Sequence, residues 1–271
     1  MLRNESDNPP IVSIKGLHKS FSSTPVIDGI SLDIERGKTT VILGPSGTGK
    51  SVLLKHIVGL MKPDRGEVYF DGQRIDGFSE TQLVAVRKRI GYLFQLGALF
   101  DSMTVGENVA FPLVEHTSKS PAERDAAVKR VLGFVGLDGT QYKRPGELSG
   151  GQQRRVALAR AVVLEPCMVL YDEPTTGLDP IRADLINELI LSLTQNMGIT
   201  SVVVTHDMVS ANKIADRMLL MHRGRILSDG TPEEVRSAEN AVVQRFIRGE
   251  ADEDDLANIR RAFESSRQTT P

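Results

Sequence analysis

Cysteine is all but missing from this chain. Cys167 is the only one in 271 residues, so no intrachain disulfide can form, and a reducing compartment suits the sequence. It lies in the apolar stretch Cys167-Met-Val-Leu-Tyr171 and reads as an inert core residue rather than a nucleophile. Long apolar runs are missing too: nothing approaches the ~18 consecutive apolar residues of a membrane-spanning helix. If the protein works at a membrane, another chain crosses it. Residues 1–10 are polar and end in proline, unlike a secretory leader. An excess of one charge is also lacking. The formal net charge is −2, which excludes bulk attraction to nucleic acid or anionic lipid. The rest is ordinary. Hydrophobic residues at 40% and charged residues at 25% match a soluble globular protein. The length suffices for one large α/β domain or two small ones with a sizeable core.

Along the chain, residues 1–10 read as a disordered lead-in. Residues 11–14 and 31–34 alternate apolar and polar, as half-buried antiparallel strands do. A buried strand is expected at 39–43, running into a glycine loop, then a helix over 52–60 ended by Gly59 and Pro63. Residues 67–70 with the Asp71-Gly72 turn suggest a hairpin, and 90–94 another short strand. From 96 to about 147 the pattern turns helical and is interrupted by prolines 112, 121 and 145, which marks a helical subdomain inserted in an α/β core. The core resumes with a helix at 150–163, a strand at 168–171, a helix at 181–196 and an apolar strand at 201–205. Residues 218–221 and 225–228 close it. This alternation predicts a mostly parallel sheet covered on both faces, with an antiparallel β region at the N-terminus. The tail, 249–271, opens acidic and ends polar. There Ile259 and Phe263 either face a groove or belong to a solvated tail.

Two motifs carry the chemistry. Gly44-Pro45-Ser46-Gly47-Thr48-Gly49-Lys50-Ser51 follows a strand and opens a helix, the context a phosphate-binding loop requires. Glycines 44, 47 and 49 let backbone N–H groups curl round phosphate oxygens. Lys50 supplies a point charge for the β/γ-phosphates and the Ser51 hydroxyl a Mg²⁺ ligand. About a hundred residues later stands Leu148-Ser149-Gly150-Gly151-Gln152. The pair resembles one superfamily, the ATP-binding-cassette (ABC) ATPases, across roughly residues 11–248.

That resemblance implies a P-loop NTPase core and further roles. LSGGQ closes over ATP held by a second copy, with Ser149 and Gly151 donating to its γ-phosphate from the start of a helix. Met168–Tyr171 followed by Asp172-Glu173 resembles a Walker B strand: Asp172 holds Mg²⁺ and Glu173 polarises the attacking water. Asp179 matches the D-loop at the subunit interface. His206 ends a strand at the edge where parallel sheets bind ligands and matches the switch histidine. Gln95 matches the Q-loop, its amide within reach of Mg²⁺ and the attacking water. Phe21 lies where the family places an aromatic under adenine, with a plain core Phe as the rival reading. Arg154 and Arg155 either assist with charge or form a solvated helix face. His18, His56 and His222 are left as structural or solvated.

The segment 93–116, including Gly97-Ala-Leu-Phe100 and Asn108-Val-Ala-Phe-Pro-Leu113, resembles the ATPases of Mla/Mce-type lipid transporters. The implied assembly is a homodimer of ATPase subunits, a transmembrane permease dimer (MlaE-like) and a periplasmic MCE-domain protein (MlaD-like). Some relatives add a STAS-domain subunit (MlaB-like). The implied cofactors are ATP and Mg²⁺, the implied location the cytoplasmic face of the bacterial inner membrane, and the implied cargo lipid. Two rivals stand beside it: a solute-importer ATPase, and a soluble cluster-assembly type that purifies without a permease.

Overall fold

The computed structural model describes residues 9–95, 97–251, 257 and 261. The expected lead-in up to residue 8 and most of the tail, Ile259 and Phe263 included, lie outside the described residues.

Two sheets form. Strands β1 (Val12–Phe21), β2 (Thr24–Ile34), β4 (Arg65–Phe70) and β5 (Gln73–Arg74) build an antiparallel sheet in the order β2-β1-β4-β5. Strands β3 (Thr39–Leu43), β6 (Ile90–Leu93), β7 (Met168–Asp172), β8 (Thr200–Thr205), β9 (Arg217–His222) and β10 (Arg225–Gly230) build the other, in the order β10-β9-β3-β8-β7-β6. Every pairing in the second sheet is parallel except β9 with β10. Its central strands are buried on both faces, which is why they read as continuous apolar runs. Successive residues nevertheless divide between two cores. Val41, Leu43, Val169, Tyr171 and Val203 join one cluster, while Ile42, Met168, Leu170, Val202 and Val204 join the other. The first cluster takes in helices α3 (Val105–His116), α4 (Pro121–Phe134), α5 (Gly150–Val162) and α6 (Pro180–Met197). The second takes in the antiparallel sheet and α1 (Lys50–Ile57).

The structure departs from the sequence expectation in particular places. Strands β1 and β2 run much longer than 11–14 and 31–34. Register shifts after Ile14, Leu17 and Lys19 break the two-residue period that reveals a strand. Helix α2 (Glu80–Arg87) was not expected, although Ser79 and Gln82 form a capping box at its start and bury Leu83 and Val86 behind it. Helices α7 (Met208–Ile214), α8 (Pro232–Arg236) and α9 (Ala241–Arg248) are short and likewise escaped the periodicity. Two of the prolines treated as interruptions start helical turns instead: Pro121 opens α4 and Pro145 a short 3-10 turn, as proline's fixed φ favours. Pro112, by contrast, lies inside a helix, α3. Cys167 is half-buried rather than core, its Sγ 3.4 Å from the Arg89 carbonyl.

Because β3, β6, β7 and β8 are parallel, their carboxyl ends share one edge. The residues just past them are Gly44, Phe94, Glu173 and His206, and the site is built there.

Candidate functional site

The loop between β3 and α1 is fixed by close backbone approach. Gly44 has φ 155°, and a Cβ there would lie 2.3 Å from the Met221 carbonyl oxygen. Gly49 (φ 97°) caps α1, and its Cβ would lie 2.7 Å from the Val26 carbonyl oxygen. Only glycine fits either position. Lys50 is the first residue of α1, 6% exposed. Its ammonium donates to the carbonyls of Gly44 (2.7 Å) and Pro45 (2.9 Å) and lies 3.7 Å from Glu173 Oε1. Burial lowers the Lys50 pKa from its ordinary value, and the charges of Glu173 and Asp172 act against that shift. Thr48 Oγ1 donates to the Pro45 carbonyl at 2.9 Å and braces the turn.

Ser51, the second residue of α1, donates from Oγ to Asp172 Oδ1 at 2.7 Å. The other Asp172 oxygen accepts from the Tyr92 hydroxyl at 3.3 Å. Burial, then the Asp172 charge, push the Tyr92 phenol above its usual range. Glu173 follows directly with φ 50°, a left-handed conformation rare for a residue with a side chain and common at functional sites. Its amide donates to the Val204 carbonyl. Glu173 Oε2 lies 2.9 Å from His206 Nδ1 and accepts from Thr176 Oγ1 at 3.0 Å and Thr205 Oγ1 at 3.4 Å. Lys50, Glu173 and His206 therefore form one continuous line of polar contacts from the start of α1 across the ends of β7 and β8. A cleft of ≈ 270 Å³ opens beside Lys50 and Glu173, lined also by Ser46, Gly47, Ser51 and Gln95 among others.

Other expected residues lie elsewhere. Phe21 ends β1 and is 46% exposed, with the Lys19 ammonium 5.9 Å from its ring centre. It is not a core side chain. Ser149 caps α5 through a capping box with Gln152. Leu148 is buried beneath the motif, and the Gly150 and Gly151 amides begin the helix, where no intrahelical acceptor exists. Asp179 caps α6, accepting from the Arg182 amide at 3.0 Å, and lies 3.1 Å from Arg182 Nε. Neither Ser149 nor Asp179 lines the phosphate-loop cleft. Ser149, Gly151 and Gln152 line a second cleft of ≈ 260 Å³ with Arg155 and Arg182.

Arg154 corrects the reading of a solvated helix face. Arg154 is buried and donates to the carbonyls of Phe94, Gln95 and Thr176. Arg155 donates to the Val135 and Gly136 carbonyls just beyond α4. Arg154 is thus spent on main-chain carbonyls, whereas Arg155 is half-buried and lines the cleft beside Ser149. Sequence reasoning also missed Tyr92, Thr176 and Thr205, since a hydroxyl in a short strand or turn carries no pattern.

The profile of the family described as "ABC transporter" matches residues 27–176. An Escherichia coli K12 protein, the "Intermembrane phospholipid transport system ATP-binding protein MlaF", is 44% identical over 242 residues, 89% of this chain and 90% of that one. The Haemophilus influenzae protein of the same description is 41% identical over 245 residues, 90% and 93% of the two chains. A Mycobacterium leprae protein described as "Probable ribonucleotide transport ATP-binding protein mkl" is 42% identical over 88% of this chain but 69% of its own. Among solved structures, a dimeric post-hydrolysis state of the ATP-binding cassette MJ0796 bound to ADP and Pi is similar at TM-score 0.76 and 33% identity, covering 82% of this chain and 98% of that one. The Clostridium perfringens protein cbiO1, part of the ABC transporter complex cbiONQ, gives 0.78 and 32%, covering 89% and 96%.

Proposed function

Because the chain belongs to the ABC transporter family, we propose that it is the ATPase subunit that powers phospholipid transport across a bacterial envelope through a separate permease. The observation that carries the catalytic part is the line Lys50–Glu173–His206 beside the Ser51–Asp172 pair, where the start of α1 meets the ends of β7 and β8. Lys50 and the backbone N–H groups of residues 44–51 take the β- and γ-phosphates of ATP. Ser51 Oγ and the Asp172 carboxylate are hard oxygen donors 2.7 Å apart, and Gln95 lines the same cleft. No group of three His, Cys, Asp or Glu side chains able to hold a metal occurs among the described residues. Such a sparse oxygen set fits Mg²⁺, which keeps water and phosphate oxygens in its shell. Ser51, Asp172 and Gln95 would hold the ion, and its chemistry is to neutralise charge on the phosphates. Glu173 accepts the proton of the attacking water and is oriented by His206, Thr176 and Thr205. His206, half-exposed at the mouth of the site, faces the γ-phosphate. Phe21 offers its exposed ring to the adenine.

Ser149, Gly150 and Gly151 act on ATP held by a second subunit, with Asp179 at the same interface. None of them lines the chain's own cleft, which supports this split site. The permease seats beside edge strand β6, in a groove of ≈ 410 Å³ lined by Tyr92, Phe94, Phe100, Phe111, Pro112 and His116 among others. No helix of the described residues is long and apolar enough to cross a membrane. As the ATPase partner of a permease, the subunit works peripherally, on the cytoplasmic side of the inner membrane. A periplasmic MCE-domain protein, and in some systems a STAS-domain subunit, complete the assembly.

Lipid cargo rests on likeness to the two phospholipid-system proteins along about nine-tenths of both chains. A second reading, ribonucleotide transport, follows from the name of the mycobacterial relative, of which this chain covers a smaller share. Reconstitution with the co-purifying permease separates them. ATP-dependent transfer of labelled phospholipid between vesicles is expected. Ribonucleotide uptake without lipid transfer would overturn the lipid assignment.

A further inference from the structure

We propose that Arg154 is a positioning residue that binds the Gln95 segment, the helix behind the LSGGQ motif and the catalytic carboxylate Glu173 into one unit. The residue is 6% exposed. It donates through one terminal nitrogen to the Phe94 carbonyl (3.2 Å) and the Gln95 carbonyl, and through the other to the Thr176 carbonyl (3.2 Å). Among the described residues no carboxylate pairs with it, and desolvation alone draws its pKa down. Burying an unpaired cation is costly. The planar fork reduces that cost only while all three carbonyl dipoles stay aimed at it. A shift of either loop withdraws an acceptor from a buried charge, so the two loops must move together.

The second link starts at Thr176. Its Oγ1 donates to Glu173 Oε2 at 3.0 Å, the same oxygen that His206 contacts. A continuous path therefore runs from the Gln95 main chain through Arg154 and Thr176 to Glu173. Arg154 lies in the second turn of α5, the helix that Ser149 caps. Arg160 reinforces the join from the same helix: it donates to the Gly97 carbonyl at 2.6 Å and lies 5.7 Å from the Phe100 ring centre. Phe94, Gln95 and Gly97 are thus each held to α5 through their carbonyls. Permease contact on the Gln95 side, nucleotide contact at Glu173 and the motif offered to the partner subunit share one mechanical element. This rests on the assignment of Glu173 as the carboxylate that polarises water.

The test is a double-mutant cycle on the full chain with Arg154→Lys, Thr176→Val and both together. Turnover and ATP affinity are measured, and thermal unfolding checks folding. Arg154→Lys keeps the charge but loses the three-carbonyl fork, and Thr176→Val keeps the shape but loses the hydroxyl. Each single variant should lose about tenfold in kcat while ATP affinity stays within about threefold. The double variant should fall little further, because both lesions cut one path. Additive losses of about a hundredfold in the double variant, affinity falling in step with kcat, or wild-type turnover in Arg154→Lys would each overturn the clamp. If Arg154→Lys does not fold, Thr176→Ser decides: turnover near wild type beside an impaired Thr176→Val supports the path, and equal loss in both overturns it. Normal turnover in Glu173→Gln would overturn the underlying assignment, whereas an inactive Glu173→Gln beside a normal Arg154→Lys removes only the clamp.

Discussion

The two ends of the proposed ATP chemistry are built very differently. At the phosphate loop, Lys50, Ser51, Asp172, Glu173 and His206 bond to one another and to the backbone, and all but His206 are mostly buried. At the LSGGQ end, the polar groups serve the helix. Ser149 and Gln152 satisfy each other in a capping box, Gly150 is exposed, and the lining of the adjoining cleft comes from α5 and α6 alone. The first region is complete within one chain. The second has a helix start with free amides and no nucleotide-binding group of its own facing it. That contrast is what a site divided between two subunits requires.

The largest effect should come from breaking the complete end at its carboxylate. Glu173→Gln keeps the side chain's reach but removes the proton acceptor, so hydrolysis should fall by ~10²–10⁴-fold while ATP still binds. Phosphate release and calorimetry measure the two separately. Near-normal turnover would mean that the base lies elsewhere.

Smaller effects distinguish binding from chemistry at the same end. Lys50→Ala removes a buried ammonium from the phosphates and should weaken ATP binding by about 10–100-fold, as loss of a charge-assisted contact does. His206→Ala should bind ATP nearly as tightly as wild type and hydrolyse it poorly. Equal affinities for wild type and Lys50→Ala in calorimetry would contradict the phosphate-loop assignment.

The smallest effect concerns stability rather than the site. His56 is buried in α1, its Nδ1 2.7 Å from the Val52 carbonyl, and burial draws its pKa below 6.5. Its folded value is depressed, so its contribution is fully present above pH 6.5 and is lost as pH falls toward the folded value. Urea unfolding should show stability declining as pH falls from about 7 through 6.5, and less so in His56→Leu. Asp28, Asp64 and Asp71 are held below 3.8 by Arg225, Lys19 and the Arg89/Arg36 pair respectively, so they titrate below this window. An identical slope in His56→Leu would assign the decline to another group.

Much of this architecture was legible in the sequence because it rests on local rules. The strand–glycine–lysine–helix order located β3 and α1, and the apolar runs before Asp172 and His206 located β7 and β8. Other parts depend on contacts between distant residues and left no pattern. The left-handed Glu173, the Tyr92–Asp172 bond and the three carbonyls around Arg154 arise only when β6, β7 and α5 pack together. The long N-terminal strands were hidden by bulges. Helix α2 was overlooked although its Ser79–Gln82 capping pair stands in the sequence.

The comparison between the two ends is tested most directly by dimerisation. Glu173→Gln in ATP should accumulate as a dimer, visible by static light scattering. Adding Ser149→Arg puts a bulky cation at the start of α5 and leaves Lys50, Ser51 and Asp172 untouched. The double variant should bind ATP and remain monomeric. If it dimerises as well as Glu173→Gln alone, the LSGGQ end does not meet a partner's nucleotide, and the divided site is wrong.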